Sequence, residues 1–534
     1  MQEKQWREEN NLFAAVDLPA VLAGRDRRAG KRRELLSRGG SCLLSVSLLM
    51  PGPVKTSRLS RAFLREYCSY LRVQFRGRNL SVAREEAWFD SAGDAYFFLF
   101  AAGTDPLFLK KYTITLEEEF DWGRVLDLDL YLSESEQLSR AGLQRPERRC
   151  LICTEEAHAC SRSQCHSTGE LQKKVRQLQT EGLLQLLPGR MQAAALSAAV
   201  SELLVAPKPG LVTGCDAGSH TDMDRFTYAD SIAALAGYFR AAATCGLQLA
   251  LARESDGEQA ADEGADSEFF KKISELKQEG LRAERQMFAA TGGVNTQKGF
   301  IYLSGLVLAA AASLLLDPRY SAAGAGTGGE AGLIAGWQRE ISRWAVALQA
   351  LQTTSSPETA ETAGESLRSR YGITGARGEA AAGMKSVFQL ALPFYRGLQA
   401  RAVAKNEAAV VTLVLILAAT EDTTLIKRAG LQQAELIQQE LAEFFHAMAR
   451  PGGQCPDKLQ LTVNRDRRPA VNADLLAATA LSSYCLDNIA GQETAVISYI
   501  SLWSEYFREK GYSAGGAADL LAICLLVLKL LADS

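Results

Sequence analysis

Several features that would assign this 534-residue chain to a special class of protein are missing from it. Residues 1–11 are polar and charged and lack the apolar core of a signal peptide. The longest apolar runs, residues 305–316, 408–419 and 520–528, fall well short of the roughly 20 residues that span a bilayer, so they predict buried core helices. The net charge of -3 gives no sign of the basic face of a duplex-binding protein. We therefore expect a cytoplasmic protein that binds neither membranes nor nucleic acid.

Cysteine and histidine are distributed unevenly. The 11 cysteines are an odd number scattered over a long chain, which argues against a disulfide framework. Only four histidines occur. Cys150, Cys153, Cys160 and His166 fall in one short segment and match the ligand types of a structural zinc site. Buried reduced cysteines that pack a small subdomain are the alternative, and Cys165 or His158 could replace a ligand.

The length predicts more than one domain, and the character of the chain changes near residue 190. Before that point apolar runs and turn signals predict an α+β domain, with a helix over 57–75 and strands over 42–49, 95–101, 112–116 and 125–132. A charged helix over 170–187 is expected to end at Pro188-Gly189. Afterwards helical periodicity dominates, so a larger all-α domain follows. We expect surface insertions over 254–268 and 319–332.

Residues 123–130, Gly-Arg-Val-Leu-Asp-Leu-Asp-Leu, form the sharpest motif of the first domain. Residues two apart on a strand share a face, so Asp127 and Asp129 point the same way. Two neighbouring carboxylates suit Mg²⁺, which can bridge to substrate phosphates. An edge strand with a solvated acidic face is the alternative interpretation.

A turn over 51–57 precedes the predicted helix of that domain. Lys55 and the free amides of the first helical turn could hold an anionic group. A plain turn with an N-cap serine would give the same pattern.

Five loop-to-helix junctions of the second half carry polar and glycine-rich blocks. They lie at residues 206–224, 291–299, 371–379, 421–424 and 515–519. Their charged residues are typical of a metal–phosphate site, although each junction could equally be an ordinary helix connection, with Asp222 or Asp224 as an N-cap.

Four ordered blocks of the first half, residues 24–28, 51–57, 123–130 and 148–166, resemble the holo-citrate lyase synthase family, the transferase CitX. The resemblance implies a nucleotidyltransferase-like domain. A serine of the citrate lyase acyl-carrier (gamma) subunit would attack a triphosphoribosyl-dephospho-CoA and release diphosphate. It implies Mg²⁺ on Asp127 and Asp129, with Lys55 and Arg124 as phosphate contacts.

The five blocks of the second half resemble the triphosphoribosyl-dephospho-CoA synthase family, CitG. That family joins ATP to 3′-dephospho-CoA and releases adenine through an oxocarbenium-like transition state. His220 is then expected to act as an acid–base group, and Asp222 and Asp224 to bind metal or stabilise the positive charge. The expected substrate-binding residues are Lys208, Lys298, Arg377, Glu379 and Asp422.

Several positions depart from the CitG pattern. Thr213–Asp216 stand where the family has Asp-Arg-Arg-Asn, Gln297 replaces a histidine, and Thr424 replaces an asparagine. Arginines that bind phosphate are not interchangeable with other residues. The leading hypothesis is therefore a bifunctional enzyme with domains 1–171 and 191–534 joined by a helical linker, 172–190. One alternative is an active transferase whose second domain only binds substrate. Another is an enzyme that serves malonate decarboxylase.

Overall fold

A computed structural model describes residues 13–255, 263–320, 329–353, 372–459 and 471–532. The chain divides into two compact units. The first runs to Leu187 and takes in a short segment that begins at Leu315, and the second holds the rest from Pro188 onward. The expected insertions lie partly outside the described residues, at 256–262 and 321–328.

The first unit is an α+β structure around a five-stranded antiparallel sheet with the order β2-β3-β1-β4-β5. The strands are β1 (Cys42–Leu48), β2 (Val82–Trp88), β3 (Ala95–Phe100), β4 (Leu126–Tyr131) and β5 (Gln137–Leu138). The helices are α1 (Leu18–Leu36), α2 (Arg58–Gly77), α3 (Pro106–Glu118), α4 (Ala157–Arg162) and the start of α5 (Thr168–Leu204). The predictions of β1, β3, β4 and α2 are confirmed.

Two helix-forming patterns were misread in the sequence. The predicted strand 112–116 is wrong, because these residues lie in α3, which begins at the cap Asp105 and Pro106. The predicted helix end at Pro188 is also wrong, because α5 continues to Leu204. Proline removes one backbone donor there, but buried residues still recur every four positions. These residues are Leu183, Leu187, Met191 and Ala195.

Each face of the sheet has its own apolar layer. On one face Phe75 of α2 packs edge-on against Phe98 and Phe100. On the other face Leu35 of α1 packs with Leu43 and Phe97. The acidic side chains of β4 lie on this second face, because Tyr131, two residues beyond Asp129, packs against that cluster.

The second unit is helical, as predicted. After α5 its helices are α6 (Arg225–Ala234), α7 (Ala236–Ser255), α8 (Glu263–Ala290), α9 (Lys298–Ser313), α10 (Gly329–Thr353), α11 (Gly375–Ala381), α12 (Leu392–Gln399), α13 (Lys405–Ala419), α14 (Thr423–Ala429), α15 (Leu431–Met448), α16 (Ala473–Ala480), α17 (Ser483–Gly491), α18 (Glu493–Lys510) and α19 (Gly515–Ala532). A π-helical turn, Ser386–Ala391, precedes α12.

The predicted apolar core helices are confirmed. Every residue of α13 from Ala408 to Ala418 is buried, and α9 is buried along most of its length. Helix α19 is long and apolar enough to cross a membrane, but 61% of it is buried inside the protein. A core helix of a soluble protein passes the same test, so this helix is weak evidence for a membrane span.

Candidate active sites and metal cluster

Strand β4 presents the two acidic side chains as predicted. Leu126, Leu128 and Leu130 are buried, while Asp127 and Asp129 are partly exposed between them. On the neighbouring strand β1, Ser47 pairs with Asp127 and Ser45 pairs with Asp129. Both carboxylates therefore project from the same face of a strand near the edge of the sheet, an arrangement that suits a shared cation.

Side chains hold the outer edge of β4 where β5 does not reach it. Strand β5 pairs with β4 at Leu130 and Tyr131. Nearer the start of β4, buried Glu117 accepts a hydrogen bond from the Leu128 N–H at 3.0 Å. Lys110 Nζ donates to the Leu128 carbonyl at 2.8 Å. The strand that carries the acidic pair is thus fixed by charged groups that satisfy its backbone.

The acidic pair is electrostatically strained. Burial and the neighbouring Asp127 raise the pKa of Asp129 to about 6. Gln137 Nε2 donates to Asp129 Oδ1 at 2.6 Å. Arg148 lies 3.3 Å from Asp127 Oδ1. A bound cation would relieve the repulsion between the two carboxylates.

Arg28 of α1 interacts with Asp127, and Arg25 of the same helix interacts with both Arg28 and Lys55 of the turn before α2. Burial, Arg32 and Arg25 lower the pKa of Arg28, while Asp90 and Asp127 raise it. Burial and Arg25 lower the pKa of Lys55. Cations that repel one another in this way would be stabilised by an anion. Arg28 lies in the block 24–28, but nothing in the sequence predicts a role for this particular arginine.

The turn 51–57 is fixed from both ends. Ser57 caps α2 in a capping box with Ser60. Thr56 donates to the buried carboxylate of Asp94 at 2.6 Å, and Arg61 donates to both oxygens of Asp94 at 2.9 Å. Lys55 is held between these anchors, and its Nζ donates to the Met50 carbonyl at 2.9 Å.

The predicted zinc ligands come together. The ligand atoms of Cys150, Cys153, Cys160 and His166 all lie within 4.8 Å of one another. His166 Nε2 is buried and has no hydrogen-bond partner among the described residues. Three thiols and an imidazole form a donor set that zinc prefers, so the residues fit a metal ion.

The thiols of this cluster have unequal acidities. Burial opposes ionisation of Cys150, but the N–H groups of Cys153 and Ile152 and the Cys160 thiol lower its pKa to about 6. The Cys150 thiol and burial raise the pKa of Cys160 to about 12. Arg124, expected at a phosphate, instead donates to the Cys150 carbonyl.

In the second unit, His220 lies in a small polar network. Its Nε2 is 3.1 Å from Ser513 Oγ, and its Nδ1 is 3.2 Å from Arg428 Nη2. Burial and Arg428 lower the pKa of His220. Arginine can only donate, so Nδ1 is the acceptor and the proton lies on Nε2. Asp222 is exposed and lies 3.6 Å from His220 Nδ1.

The loop that lacks the family's arginines is contacted by arginines from elsewhere. Arg225 donates to the Gly214 carbonyl at 2.9 Å, and Arg508 lies 3.3 Å from Asp216. Arg428 also donates to the Ser219 carbonyl at 3.3 Å. Positive charge is therefore present at the loop although Thr213–Asp216 contribute none.

Asp224 caps a helix, as the alternative interpretation predicted. It accepts hydrogen bonds from the N–H groups of Phe226 and Thr227 at 2.9 Å. These bonds to Thr227 and Phe226 lower the pKa of Asp224. Both hydrogen bonds go to Oδ1, so Oδ2 of Asp224 is available to bind another group.

A buried ionic cluster lies near the end of α5. Lys208 and Glu202 form a pair at 2.5 Å, with 1% and 3% of their side chains exposed. Tyr228 Oη lies 3.3 Å from the other Glu202 oxygen. Lys208 is thus committed to Glu202, a residue that the sequence analysis missed because it lies inside a regular helix.

Asp519 belongs to the same acidic neighbourhood. Burial, Glu202 and Asp422 raise its pKa well above the ordinary value. A Cβ added at Gly299 would lie 1.9 Å from Asp519 Oδ2, so glycine is required there. The sequence block 515–519 contained Asp519, but nothing in the pattern distinguished it from a helix-start acid.

The remaining predicted residues have varied surroundings. Asp422 caps α14 through Oδ1 and accepts a hydrogen bond from the Ala517 N–H through Oδ2 at 2.8 Å.

Lys298 pairs with Glu284 at 2.8 Å near the surface. Glu379 accepts from Ser386 N–H at 2.8 Å, and the Arg377 carbonyl accepts from Gln349 at 3.0 Å. Tyr371 lies outside the described residues.

The first unit thus combines paired carboxylates on an antiparallel sheet with nearby basic groups, and the helical unit holds a second polar network around His220. Residues 16–182 match the family described as apo-citrate lyase phosphoribosyl-dephospho-CoA transferase, CitX. Residues 188–492 match the family described as ATP:dephospho-CoA triphosphoribosyl transferase, CitG. The chain belongs to the family of CitX–CitG fusions.

Similar proteins agree with this assignment. The protein CitXG of Leuconostoc mesenteroides subsp. cremoris is 31% identical over 78% of this chain and 84% of its own. The protein CitXG of Haemophilus influenzae is 27% identical over 96% of each chain. A probable 2-(5''-triphosphoribosyl)-3'-dephosphocoenzyme-A synthase of Vibrio cholerae is 32% identical over 55% of this chain and 88% of its own.

The chain therefore combines a CitX transferase with a CitG triphosphoribosyl-dephospho-CoA synthase, two activities for the citrate lyase prosthetic group. The recognition, the fold class and the enzyme class predicted from the sequence are confirmed. ATP and dephospho-CoA are the substrates that the CitG assignment implies, and the CitX assignment implies transfer onto the apo-citrate lyase acyl-carrier subunit.

Proposed function

We propose that the transferase reaction takes place at Asp127 and Asp129, and that these carboxylates bind Mg²⁺. The observation that carries the proposal is their common face on β4 beside Arg28. When bound, the cation neutralises charge on the transferred phosphoryl group. Lys55, Arg25 and Arg28 bind the phosphates of triphosphoribosyl-dephospho-CoA.

The acceptor in this proposal is a serine of the acyl-carrier (gamma) subunit. Its hydroxyl oxygen forms a bond to the α-phosphorus while the bond to diphosphate breaks. Positioning and charge neutralisation account for most of the rate in such reactions. Arg124 is bonded to the Cys150 carbonyl, so we place it in a supporting role and not at a phosphate.

We propose the surroundings of His220 as the synthase site. The dephospho-CoA ribose hydroxyl attacks C1 of the ATP ribose, and adenine leaves. His220, neutral with its proton on Nε2, gives that proton to the departing adenine and regains one from the attacking hydroxyl, while Asp222 and Oδ2 of Asp224 stabilise positive charge near C1. Arg225, Arg428 and Arg508 provide the charge that the family's missing arginines would supply.

The other predicted residues keep more limited roles in this proposal. Lys298 and Arg377 bind the triphosphate. Lys208, Glu379 and Asp422 shape the site, because their polar atoms are bonded to neighbouring protein groups. We further propose the domain division 1–171, 172–190 and 191–534, a cytoplasmic enzyme, and no nucleic-acid or membrane partner.

For the cluster of Cys150, Cys153, Cys160 and His166 we propose Zn²⁺ as the ion. Thiolate and imidazole ligands in a four-coordinate set favour zinc over Mg²⁺. With all four positions taken by protein, such a site is structural and does not bind substrate.

The deciding experiment incubates the purified chain with ATP, Mg²⁺ and 3′-dephospho-CoA and follows free adenine by chromatography. Adenine that disappears in the Asp222→Ala variant supports the synthase site. No adenine, together with transfer from preformed triphosphoribosyl-dephospho-CoA, would favour a second domain that only binds substrate. Comparing citrate lyase and malonate decarboxylase carriers as acceptors tests the assignment to citrate lyase.

A further inference from the structure

The Cys/His cluster is linked to the strand that carries the acidic pair. Arg124 lies directly before β4 and donates to the Cys150 carbonyl. Arg148 lies two residues before Cys150, donates to the Leu126 carbonyl at 2.9 Å and lies 3.3 Å from Asp127 Oδ1. Arg148 thus contacts the first two residues of β4, and Arg124, in the turn that leads into this strand, bonds to the backbone of the cluster.

The backbone of Arg148 belongs to a small hairpin that also carries Cys150 and Cys153. The Ala157 N–H donates to the Arg148 carbonyl at 2.8 Å, and the Cys150 N–H donates to the Glu155 carbonyl at 2.8 Å. Cys150 and Cys160 lie on either side of this small hairpin. An ion bound to both thiolates would close the hairpin and hold Arg148 against β4.

This part of β4 depends on such support. Strand β5 reaches β4 at Leu130 and Tyr131, beyond both aspartates. Glu117 connects Arg148 to the backbone of β4, because its Oε1 accepts a hydrogen bond from the Leu128 N–H at 3.0 Å and another from Arg148 at 2.7 Å. Loss of Arg148 from this position would leave a buried carboxylate and a strand edge less well satisfied.

We propose that the metal-loaded Cys150–His166 cluster is a positioning device for the transferase site, which acts through Arg124 and Arg148 on the strand that carries Asp127. It touches no substrate and takes no part in adenine release. The inference rests on the proposed role of Asp127 and Asp129.

The first test compares Cys153→Ser with Cys165→Ser in the full chain. Cys153 is a cluster ligand, whereas Cys165, which the sequence offered as a replacement ligand, is exposed and does not belong to the group of four ligand atoms. The wild type should contain about one zinc ion per chain by mass spectrometry of the metal. Cys153→Ser should lose zinc, lower kcat for transfer by about tenfold or more, and release adenine at the wild-type rate. Cys165→Ser should keep both zinc and transfer.

The second test uses Arg124→Gln, which leaves every cluster ligand in place. We expect full zinc content and a lower kcat for transfer, with unchanged KM for the nucleotide substrate and for the carrier protein. Arg124→Lys should recover part of the rate. The double variant with Cys153→Ser should be no slower than the slower single variant, because both changes remove one coupled contact.

Three results would overturn the inference. The first is a wild type that contains no zinc and has full transfer activity, and the second is an Arg124→Gln variant whose kcat for transfer is undiminished. The third is a raised nucleotide KM in Arg124→Gln, because it would place Arg124 at a phosphate. Poor folding of Cys153→Ser would leave the Arg124→Gln measurements to decide. Failure of the proposed acidic site is a separate outcome. Only in that case would the Asp127→Asn variant keep its transfer activity.

Discussion

The acidic pair of the first unit and the Lys208–Glu202 pair of the second unit lie in opposite environments. In the first unit the acidic pair lies on a sheet face, with 44% of the Asp127 side chain exposed, and basic side chains lie opposite. In the second unit Lys208 and Glu202 are almost fully enclosed and are satisfied by each other and by Tyr228. The carboxylates of the acidic pair can therefore still bind a cation, whereas Lys208 and Glu202 already neutralise each other.

This difference separates activity from stability. A partly exposed carboxylate whose neighbour repels it gains most from a bound cation, so changing it should affect chemistry. A buried pair is costly to break, because the surviving charge is left without a partner in a low-dielectric interior. Substitutions in the acidic pair and in the Lys208–Glu202 pair should therefore fail in different assays.

The largest effect is expected for Asp127→Asn. Removing one of two cation ligands should lower the transfer rate by about a hundredfold to a thousandfold, while adenine release is unchanged. Labelling of the carrier protein from preformed triphosphoribosyl-dephospho-CoA measures the first activity. Asp121→Asn, an exposed position before β4, is the matched control, and equal loss in both variants would contradict the assignment.

Lys208→Met should destabilise the second unit by about 3–5 kcal/mol, because it leaves Glu202 charged and buried. Thermal unfolding followed by calorimetry measures this change. Lys271→Met, which removes an exposed pair with Glu268, should cost about 0–1 kcal/mol. The comparison breaks down if the two lysine variants unfold at the same temperature.

The transfer activity should depend on pH through Asp129. The pKa of Asp129 is raised to about 6, so protonation competes with the cation as the pH falls below that value. The Mg²⁺ concentration for half-maximal transfer should rise by about tenfold per pH unit from pH 6 toward 5. For stability the sign is reversed: the native carboxyl takes up a proton more readily than the unfolded one, so unfolding becomes less favourable as the pH falls through 6. A Mg²⁺ requirement that stays constant from pH 7 to 5 would contradict this prediction.

The smallest effect on stability is expected for Lys298→Ala. Its pair with Glu284 is partly exposed and contributes about 0–1 kcal/mol. If Lys298 binds triphosphate, the KM for ATP rises severalfold while kcat is kept. Glu284→Ala is the control, because it frees Lys298 and should not raise that KM.

The sequence predicted elements whose side chains alternate or recur with one clear period. Strand β4 was evident because leucines and aspartates alternate, and α13 because its apolar run is long. The strand predicted over 112–116 was wrong because β-branched and aromatic residues were given more weight than the cap Asp105-Pro106. Pro188 was read as a helix end, although burial on one side of α5 keeps the helix intact.

The candidate sites were predictable in composition but not in contacts. The ligand types of Cys150–His166 could be read directly, and the structure brings the ligands together. The partners of Lys208, Asp519 and Arg124 could not be predicted from the sequence, because they are residues that tertiary packing brings close. The site residues themselves remain predictions, to be decided by the variants above.

Asp422 has a consequence for how this family can diverge. One oxygen is used by the amides of Thr424 and Leu425, and the other by the amide of Ala517, 95 residues away in the chain. A change of length or charge at this position would release two helix starts at once. The blocks 421–424 and 515–519 should therefore mutate in concert, so that a change in one block is matched by a change in the other.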